Sequence, residues 1–375
     1  MNKPRANEID LLRFLAAMAV VLFHYTFRGY VAHSSSMPYP PLDAVTKYGS
    51  YGVQLFFLIS GFVILMSASS GSLKHFVISR IVRLYPAFWV CCTLTFLVLL
   101  LFGKGRPTVI QYLANMTMLS GFPVVQKFLP VSHMDGSYWS LVVEMRFYAL
   151  VAVVLLLRQI HRAEYFLAGW LVTVALFELA GIDHLRDVLI VDYAAYFIAG
   201  AMLYRVWSHG MSWLRMGVIL GCWVLALYES WIGVAKLEAN NHTAMDRGIV
   251  LSIVTACFIL MFLVATKKTG WVGRRNWILL GALTYPLYLV HQAVGYVVFN
   301  HLYPAVDPHL LLWGTAAMMI AVARVINVRV EQRVARPFKE RLNRWWDGAR
   351  ASCASVAAAR DPLASESDNR PDTTA

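Results

Sequence analysis

Charge is scarce in this 375-residue chain: Asp, Glu, Lys and Arg make up 14% of it, against roughly 25% in an ordinary soluble domain. That is too little polar surface for a water-facing fold, and it sets aside the soluble globular and disordered classes. Cysteine is scarce as well. Of the five, Cys91, Cys92, Cys222 and Cys257 lie in apolar runs and Cys353 in a polar tail. This placement gives neither a disulfide framework nor a metal-ligand spacing, so no metal is expected. No internal repeat of 20–50 residues is visible. A cleavable leader is not expected, because Asp10 and Arg13 interrupt the first apolar run and no small-residue cleavage site follows His24.

Apolar side chains are in excess, at 59% of the residues, with 12 Trp, 18 Tyr and 20 Phe. Runs of about 20 apolar residues, the length that crosses a bilayer as a helix, recur along the chain. Ten are expected, near 9–28, 52–69, 84–103, 139–158, 164–182, 187–206, 213–231, 248–266, 277–299 and 308–326. The expected fold class is all-α, a polytopic membrane helix bundle. Thr108–Gly121 is apolar but too short to span, and reads as interfacial or re-entrant.

The net charge of +12 would suit nucleic acid, but its distribution points elsewhere. With the N-terminus inside, 24 Lys/Arg fall in the cytoplasmic segments, eight on the other side, and Arg146 within the fourth span. This is the positive-inside pattern, and an even number of spans puts both termini in the cytoplasm. A multi-pass membrane protein is expected, with no nucleic-acid partner. Residues 1–326 form the membrane domain. Val330, Val334, Phe338 and Leu342 then recur every four residues among arginines, which predicts an amphipathic helix over 327–346 on anionic membrane lipids. From Asp347 the composition turns to Ala, Ser, Asp and Pro, and 347–375 reads as a disordered tail. Oligomeric state is not legible.

Ionisable residues inside spans are costly and mark a bundle interior or an aqueous cavity. An inner layer is basic: Arg13 in the first helix, and Arg80 and Arg83 three residues apart in the loop after the second. Two guanidiniums on one face grip phosphate oxygens through paired donors; equally, such residues serve as topological anchors. An outer layer holds His24, Glu144, Asp192 and His291, the last after Pro286. An imidazole beside a carboxylate is a general-base arrangement, and the alternative is two separate interhelical hydrogen bonds. Arg13 and His24 are 11 residues apart, which is three helical turns plus about 20°, so they share a face about 16 Å apart, with Asp10 close to it. A phosphate grip and a base joined along one face suggest a long anionic cofactor such as acyl-coenzyme A.

These residues also carry a family resemblance. Ile9-Asp10-Leu11-Leu12-Arg13, ten residues and then His24 resembles the first-helix motif of the acyltransferase family 3 membrane proteins. Gly52–Phe62 is similar to the family's second-helix signature, and Arg80-Ile81-Val82-Arg83 with Tyr85-Pro86 to its basic motif. Trp139-Ser140-Leu141-Val142-Val143-Glu144 resembles its Trp-Ser-Leu-x-x-Glu block. Thr284–His291 and Glu331…Pro337-Phe338 resemble its C-terminal features. Two positions depart from the pattern. Thr284 replaces a frequent Ser, and Arg146 stands where many members carry an uncharged polar residue, where it is positioned to pair with an acid.

The resemblance implies O-acylation of a cell-surface or exopolysaccharide glycan, or of a lipid-linked saccharide, with acetyl-CoA or another acyl-CoA as donor. Arg13, Arg80 and Arg83 would then serve the donor, and His24 would be the catalytic base. Glu144 would be its partner or an acceptor-binding acid. Trp139 and Ser140 would line the site, with Ser60, Ser140, Tyr285 or backbone N–H groups as oxyanion donors and Asp10 and His291 on the substrate side. A different class, a proton-coupled transporter or polysaccharide export component, also suits ten spans with a proline-broken ninth helix.

Overall fold

The computed structural model describes residues 6–182 and 185–360, and among these there is no strand. Ten helices are long and apolar enough to cross a membrane. They are α1 (Glu8–Val31), α2 (Gly49–Ala68), α3 (Leu73–Phe102), α4 (Gly136–Leu156), α5 (Ile160–Ala180), α6 (Arg186–His209), α7 (Trp213–Asn241), α8 (Arg247–Ala265), α9 (Ile278–Leu302) and α10 (Pro308–Ile326). The all-helical bundle of ten spans read from the apolar runs is the one observed. Several starts carry side-chain caps that satisfy otherwise orphaned N–H groups: Ser212 accepts from Arg215, Asp246 from Ile249, and Asp307 from His309 and Leu310.

Two boundaries differ from the sequence reading. Arg80 and Arg83 lie within α3, not in a loop, because Ser72 caps that helix by accepting the His75 N–H. At 30 residues, α3 is about 45 Å long, so its first turns extend past a hydrocarbon core of about 30 Å. The second difference is at the C-terminus. A π-helical turn, Asn327–Glu331, joins α10 to a further helix, α11 (Gln332–Arg360), that packs along α3 through Trp89 and Phe338 and an ion pair between Lys74 and Asp347 at 2.7 Å. The helix therefore continues through 347–360, where disorder was expected; residues 361–375 lie outside the described residues. Thr108–Gly121 contains a short helix, Val109–Met116, too short to span, as read from the sequence.

Close backbone approach organises the centre. The most extensive helix pair is α2 against α6, where Gly61 faces the Phe197 carbonyl and Gly200 the Leu58 carbonyl, with the two glycines in mutual contact. Helices in lipid have no hydrophobic drive toward each other, so small residues that allow intimate packing decide where they meet. Gly49 and Gly52 play the same part against the Ala19 and Ala16 carbonyls of α1. Helix α1 also runs alongside α9 in the same direction: Asp10 packs on Gly281, His24 on His291, and Tyr25 on Gly295. The interior thus consists of α1, α2, α6 and α9.

A Cβ at position 200 would overlap the Leu58 carbonyl oxygen, a backbone atom with little room to move. Gly200→Val should cost about 1–3 kcal/mol or more, as overpacked cores do. Thermal unfolding in detergent, read beside Gly217→Val on an open face of α7, should show a clear drop for the first; equal effects would remove the close-packing argument.

Candidate active site

The site is built along the α1–α9 seam. Helix α1 is α-helical through Phe23 and widens into a π-helical turn at His24–Arg28, a distortion frequent at functional sites. The regular geometry from Arg13 to His24 is intact, so the two residues project along one stripe about 16 Å apart.

His24 Nδ1 lies 2.9 Å from His291 Nε2, and His291 Nδ1 lies 2.9 Å from the Tyr288 carbonyl oxygen. A carbonyl only accepts, so His291 carries its proton on Nδ1, and its neutral ring offers a lone pair at Nε2. His24 must then donate from Nδ1, and its own Nε2 is left as a lone pair. His291 is fully buried, whereas His24 is only partly so. The chain from carbonyl to His291 to His24 ends in a proton acceptor at its accessible end.

His291 is caged by the segment that opens α4. Ser137 Oγ donates to the Tyr288 carbonyl (3.1 Å), Tyr138 to the Leu289 carbonyl (3.2 Å) and Tyr25 to the His291 carbonyl (2.8 Å). Asp135, buried, accepts from the Ala293 N–H at 2.8 Å, from the Ser137 N–H, and at 2.6 Å from the Ser137 hydroxyl, whose single proton is shared between this carboxylate and the Tyr288 carbonyl. Four side chains thus hold the α9 backbone on either side of His291. Asp135, Ser137 and Tyr138 were not singled out from the sequence. Their signal is Asp135-Gly136-Ser137, one residue before the Trp139 block, the composition of a helix cap.

Glu144 differs from expectation. Its Oε1 accepts from Ser60 Oγ at 2.6 Å, and its charge lies within electrostatic reach of Arg13 and Tyr148. The carboxylate therefore belongs to the Arg13 end, and the imidazole–carboxylate pair anticipated for His24 is an imidazole–imidazole pair instead. Depth counted from the start of α4 misleads because both Arg13 and Glu144 reach toward the middle of the bundle. A small cavity of about 50 Å³ is lined there by Arg13, Ser60, Ser140, Glu144, Tyr285 and Tyr288, among others. Ser140 Oγ and the Tyr288 hydroxyl are 2.7 Å apart, and Tyr285 donates to the Leu84 carbonyl at 3.2 Å. Tyr288 is one turn from His291, with ring centroids 5.6 Å apart, so the cavity ends beside the imidazole pair.

Toward the start of α1 the cluster is basic. Arg83, exposed, lies within electrostatic reach of Arg13, and Arg80 sits over the Tyr148 ring with its guanidinium 5.9 Å from the centroid. Glu331, on the π-helical turn after α10, faces Arg13 and Arg83 and accepts from Asn327 at 2.6 Å. Asp10 packs against Gly281, one turn from Arg13. Asp192 is not with the histidines: it pairs with Arg186 at 2.7 Å near the start of α6. Arg146 pairs with Asp187 at 2.8 Å, and Trp139 lies with Tyr193 rather than in the Arg13 cavity. Among the described residues, no group of three or more His, Cys, Asp or Glu is arranged to hold a metal ion.

A ten-helix bundle with arginines, a carboxylate and an imidazole pair inside it defines the class: a multi-pass integral membrane protein. The chain belongs to acyltransferase family 3, whose model, described as an acyltransferase domain, matches residues 6–328. It is similar to the protein named O-acetyl transferase of Shigella phage Sf6, 24% identical over 338 residues covering 84% of this chain and 93% of the relative. It is also similar to Nodulation protein 10 of Rhizobium leguminosarum bv. viciae, 27% identical over 322 residues, 77% of this chain and 82% of the relative. No solved structure matches. The protein is an O-acyltransferase enzyme, so the transporter alternative is set aside.

The hydrogen-bond chain gives a graded expectation. His291→Ala leaves His24 Nδ1–H without its acceptor, a loss of about 1–3 kcal/mol and hence about 5- to 150-fold in turnover. His291→Gln, whose amide oxygen can accept, should retain more. Steady-state turnover of the two variants checks this; a Gln variant as impaired as Ala would mean that accepting from His24 is not what His291 contributes.

Proposed function

We propose that this enzyme, in the bacterial inner membrane, moves an acetyl group from acetyl-CoA, or another acyl group from its acyl-CoA, to a hydroxyl of a cell-surface or exopolysaccharide glycan or its lipid-linked precursor. The observation that carries the reading is the lone pair left on His24 Nε2 by the fixed tautomer of His291. The similarity to the phage protein named O-acetyl transferase supports the acetyl group.

His24 Nε2 takes the proton of the acceptor hydroxyl as that oxygen bonds to the thioester carbonyl carbon. The carbon–sulfur bond then breaks, and His24 returns the proton to the departing thiolate. General-base assistance of this kind is worth roughly 10²–10⁴-fold. The developing oxyanion needs donors. Ser60 donates to Glu144, Tyr285 to the Leu84 carbonyl, and the Ser140 and Tyr288 hydroxyls to the Ser137 carbonyl and to each other. Of these the Ser140–Tyr288 pair lies beside the imidazoles and becomes the oxyanion donor by turning a hydroxyl away from the Ser137 carbonyl. Arg13, Arg80 and Arg83 hold the donor phosphates, and Glu144 acts through Ser60 and Arg13, fixing the inner wall.

The about 16 Å between Arg13 and His24 is the length of an extended thioester arm laid along α1. Positive-inside counting puts the arginine end in the cytoplasm, where acyl-coenzyme A is made. The acceptor then meets His24 from the outer side, and the acyl group crosses the membrane while the coenzyme stays within. Sealed vesicles of known orientation test this, with labelled acetyl-coenzyme A on the cytoplasmic face and a membrane-impermeant glycan on one face at a time. Label on glycan at the outer face is expected. Transfer only to glycan on the donor's own face would contradict the crossing and leave the acyl transfer standing.

Two substitutions separate the ends. His24→Ala should lower turnover by roughly 10²–10⁴-fold with normal membrane insertion, and a variant keeping a tenth of wild-type turnover would exclude His24 as the base. Arg80→Ala and Arg83→Ala should raise KM for acyl-coenzyme A, and Lys should rescue only in part, since a point charge cannot give two parallel bonds to phosphate. An unchanged donor KM in both would return them to topological anchors.

A further inference from the structure

Separate from the Arg13 cavity, a second cavity of about 240 Å³ lies where α4 and α6 begin, lined in part by His133, Trp139, Arg146, Asp187, Asp192 and Tyr193. It holds the volume of about eight waters, the scale of one sugar ring and too small for a coenzyme. We propose that this cavity is the subsite that binds one uncharged pyranose unit of the acceptor, an inference that rests on the glycan-acylating reading above.

Three observations support it. The first is an aromatic platform: Trp139 is 37% exposed and lies against Tyr193 with ring centroids 5.5 Å apart. An exposed aromatic face beside polar groups suits a ligand that is apolar on one face and hydroxylated at its edge. The second is paired charge. Arg146 donates to Asp187 at 2.8 Å, and Arg186 donates to Asp192 at 2.7 Å and, behind the cavity wall, to Glu178 at 2.5 Å. Guanidinium donors and carboxylate acceptors thus alternate around the cavity, whose two lining arginines and two lining aspartates carry no net charge between them. Adjacent sugar hydroxyls, each both donor and acceptor, match such a rim. Asp187 and Asp192 keep more than half of their side chains exposed, leaving acceptor positions open. His133 adds no charge, because burial pushes its imidazole below the usual range despite the pull of Asp135.

The third observation is position. Trp139 follows Ser137 and Tyr138, which hold the α9 backbone one turn before His291. On its other side, Phe57 lies 6.3 Å from Trp139 and 5.0 Å from Tyr193, and also lines the Arg13 cavity. A sugar seated on Trp139 is thus next to the reactive seam without entering the donor end. Arg146, in the lining of this cavity, becomes a specificity residue.

The test uses purified enzyme, acetyl-coenzyme A, and oligosaccharides cut from the surface polysaccharide of the producing cell after mild alkali has removed its O-acyl esters. The double variant Arg146→Gln/Asp187→Asn removes both partners of one ion pair and so strands no buried charge. It should raise the acceptor KM about tenfold, with donor KM and thermal unfolding unchanged; Trp139→Ala should do the same and Trp139→Phe much less. An acceptor KM equal to wild type in the double variant and in Trp139→Ala overturns the subsite while leaving glycan acylation intact. If Trp139→Ala also loses donor binding or stability, the acceptor KM of the double variant and of Trp139→Phe decides, and a wild-type value in the double variant then overturns the subsite. A wild-type enzyme that leaves the de-esterified glycan unlabelled overturns the glycan reading, and the subsite with it.

Discussion

The hydrogen bond between two imidazoles, His24 on α1 and His291 on α9, is the constraint on which the account depends. It sets the proton acceptor of the site only because the Tyr288 carbonyl decides the tautomer of His291. That carbonyl is held by Ser137, and the turns around it by Tyr138, Tyr25 and Asp135. Tyr25 reaches the His291 carbonyl because residue 295 is glycine, whose missing side chain leaves space for the phenol ring. The seam in turn rests on the glycine contacts that bring α1, α2 and α6 together. The geometry of the imidazole pair follows from helix packing.

The same seam separates two kinds of chemistry along one axis. Arginines gather where α1 begins, with Glu144 and Glu331 facing them, and the neutral imidazoles lie toward its far end. A long donor laid along α1 would keep its charge at one end and present its reactive carbon at the other. The cavity between them is small, so the structure has room for an acyl group there but must part to admit the arm behind it. Motions that open such seams belong to the μs–ms range of helix shifts.

Much of the fold was legible in the sequence because spanning helices leave runs of about 20 apolar residues with polar breaks. Arg13 and His24 were legible as a pair because 11 residues close three helical turns. The partners were not. Matching Glu144 to His24 by depth assumed that side chains stay level with their Cα atoms, and Arg13 is long enough to reach mid-bundle. His291 was recognised as an intramembrane histidine, but its contact with His24 depends on two helices more than 260 residues apart in sequence running side by side. Asp135 lay unnoticed because it sits outside the apolar spans, where a carboxylate looks ordinary. The continuation of α11 past Asp347 was missed because composition alone cannot show that Lys74 and Trp89 of α3 offer it a surface.

The central claim is that His24 is neutral and presents an unprotonated Nε2. It is tested most directly by nitrogen-15 NMR of histidine-labelled protein in lipid nanodiscs, with the His24 and His291 signals assigned by their loss in His24→Gln and His291→Gln. The account predicts that in both rings Nδ1 carries the proton and Nε2 does not, with a resolvable coupling across the His24 Nδ1–His291 Nε2 bond. A His24 ring protonated at Nε2, or at both nitrogens at neutral pH, would contradict it.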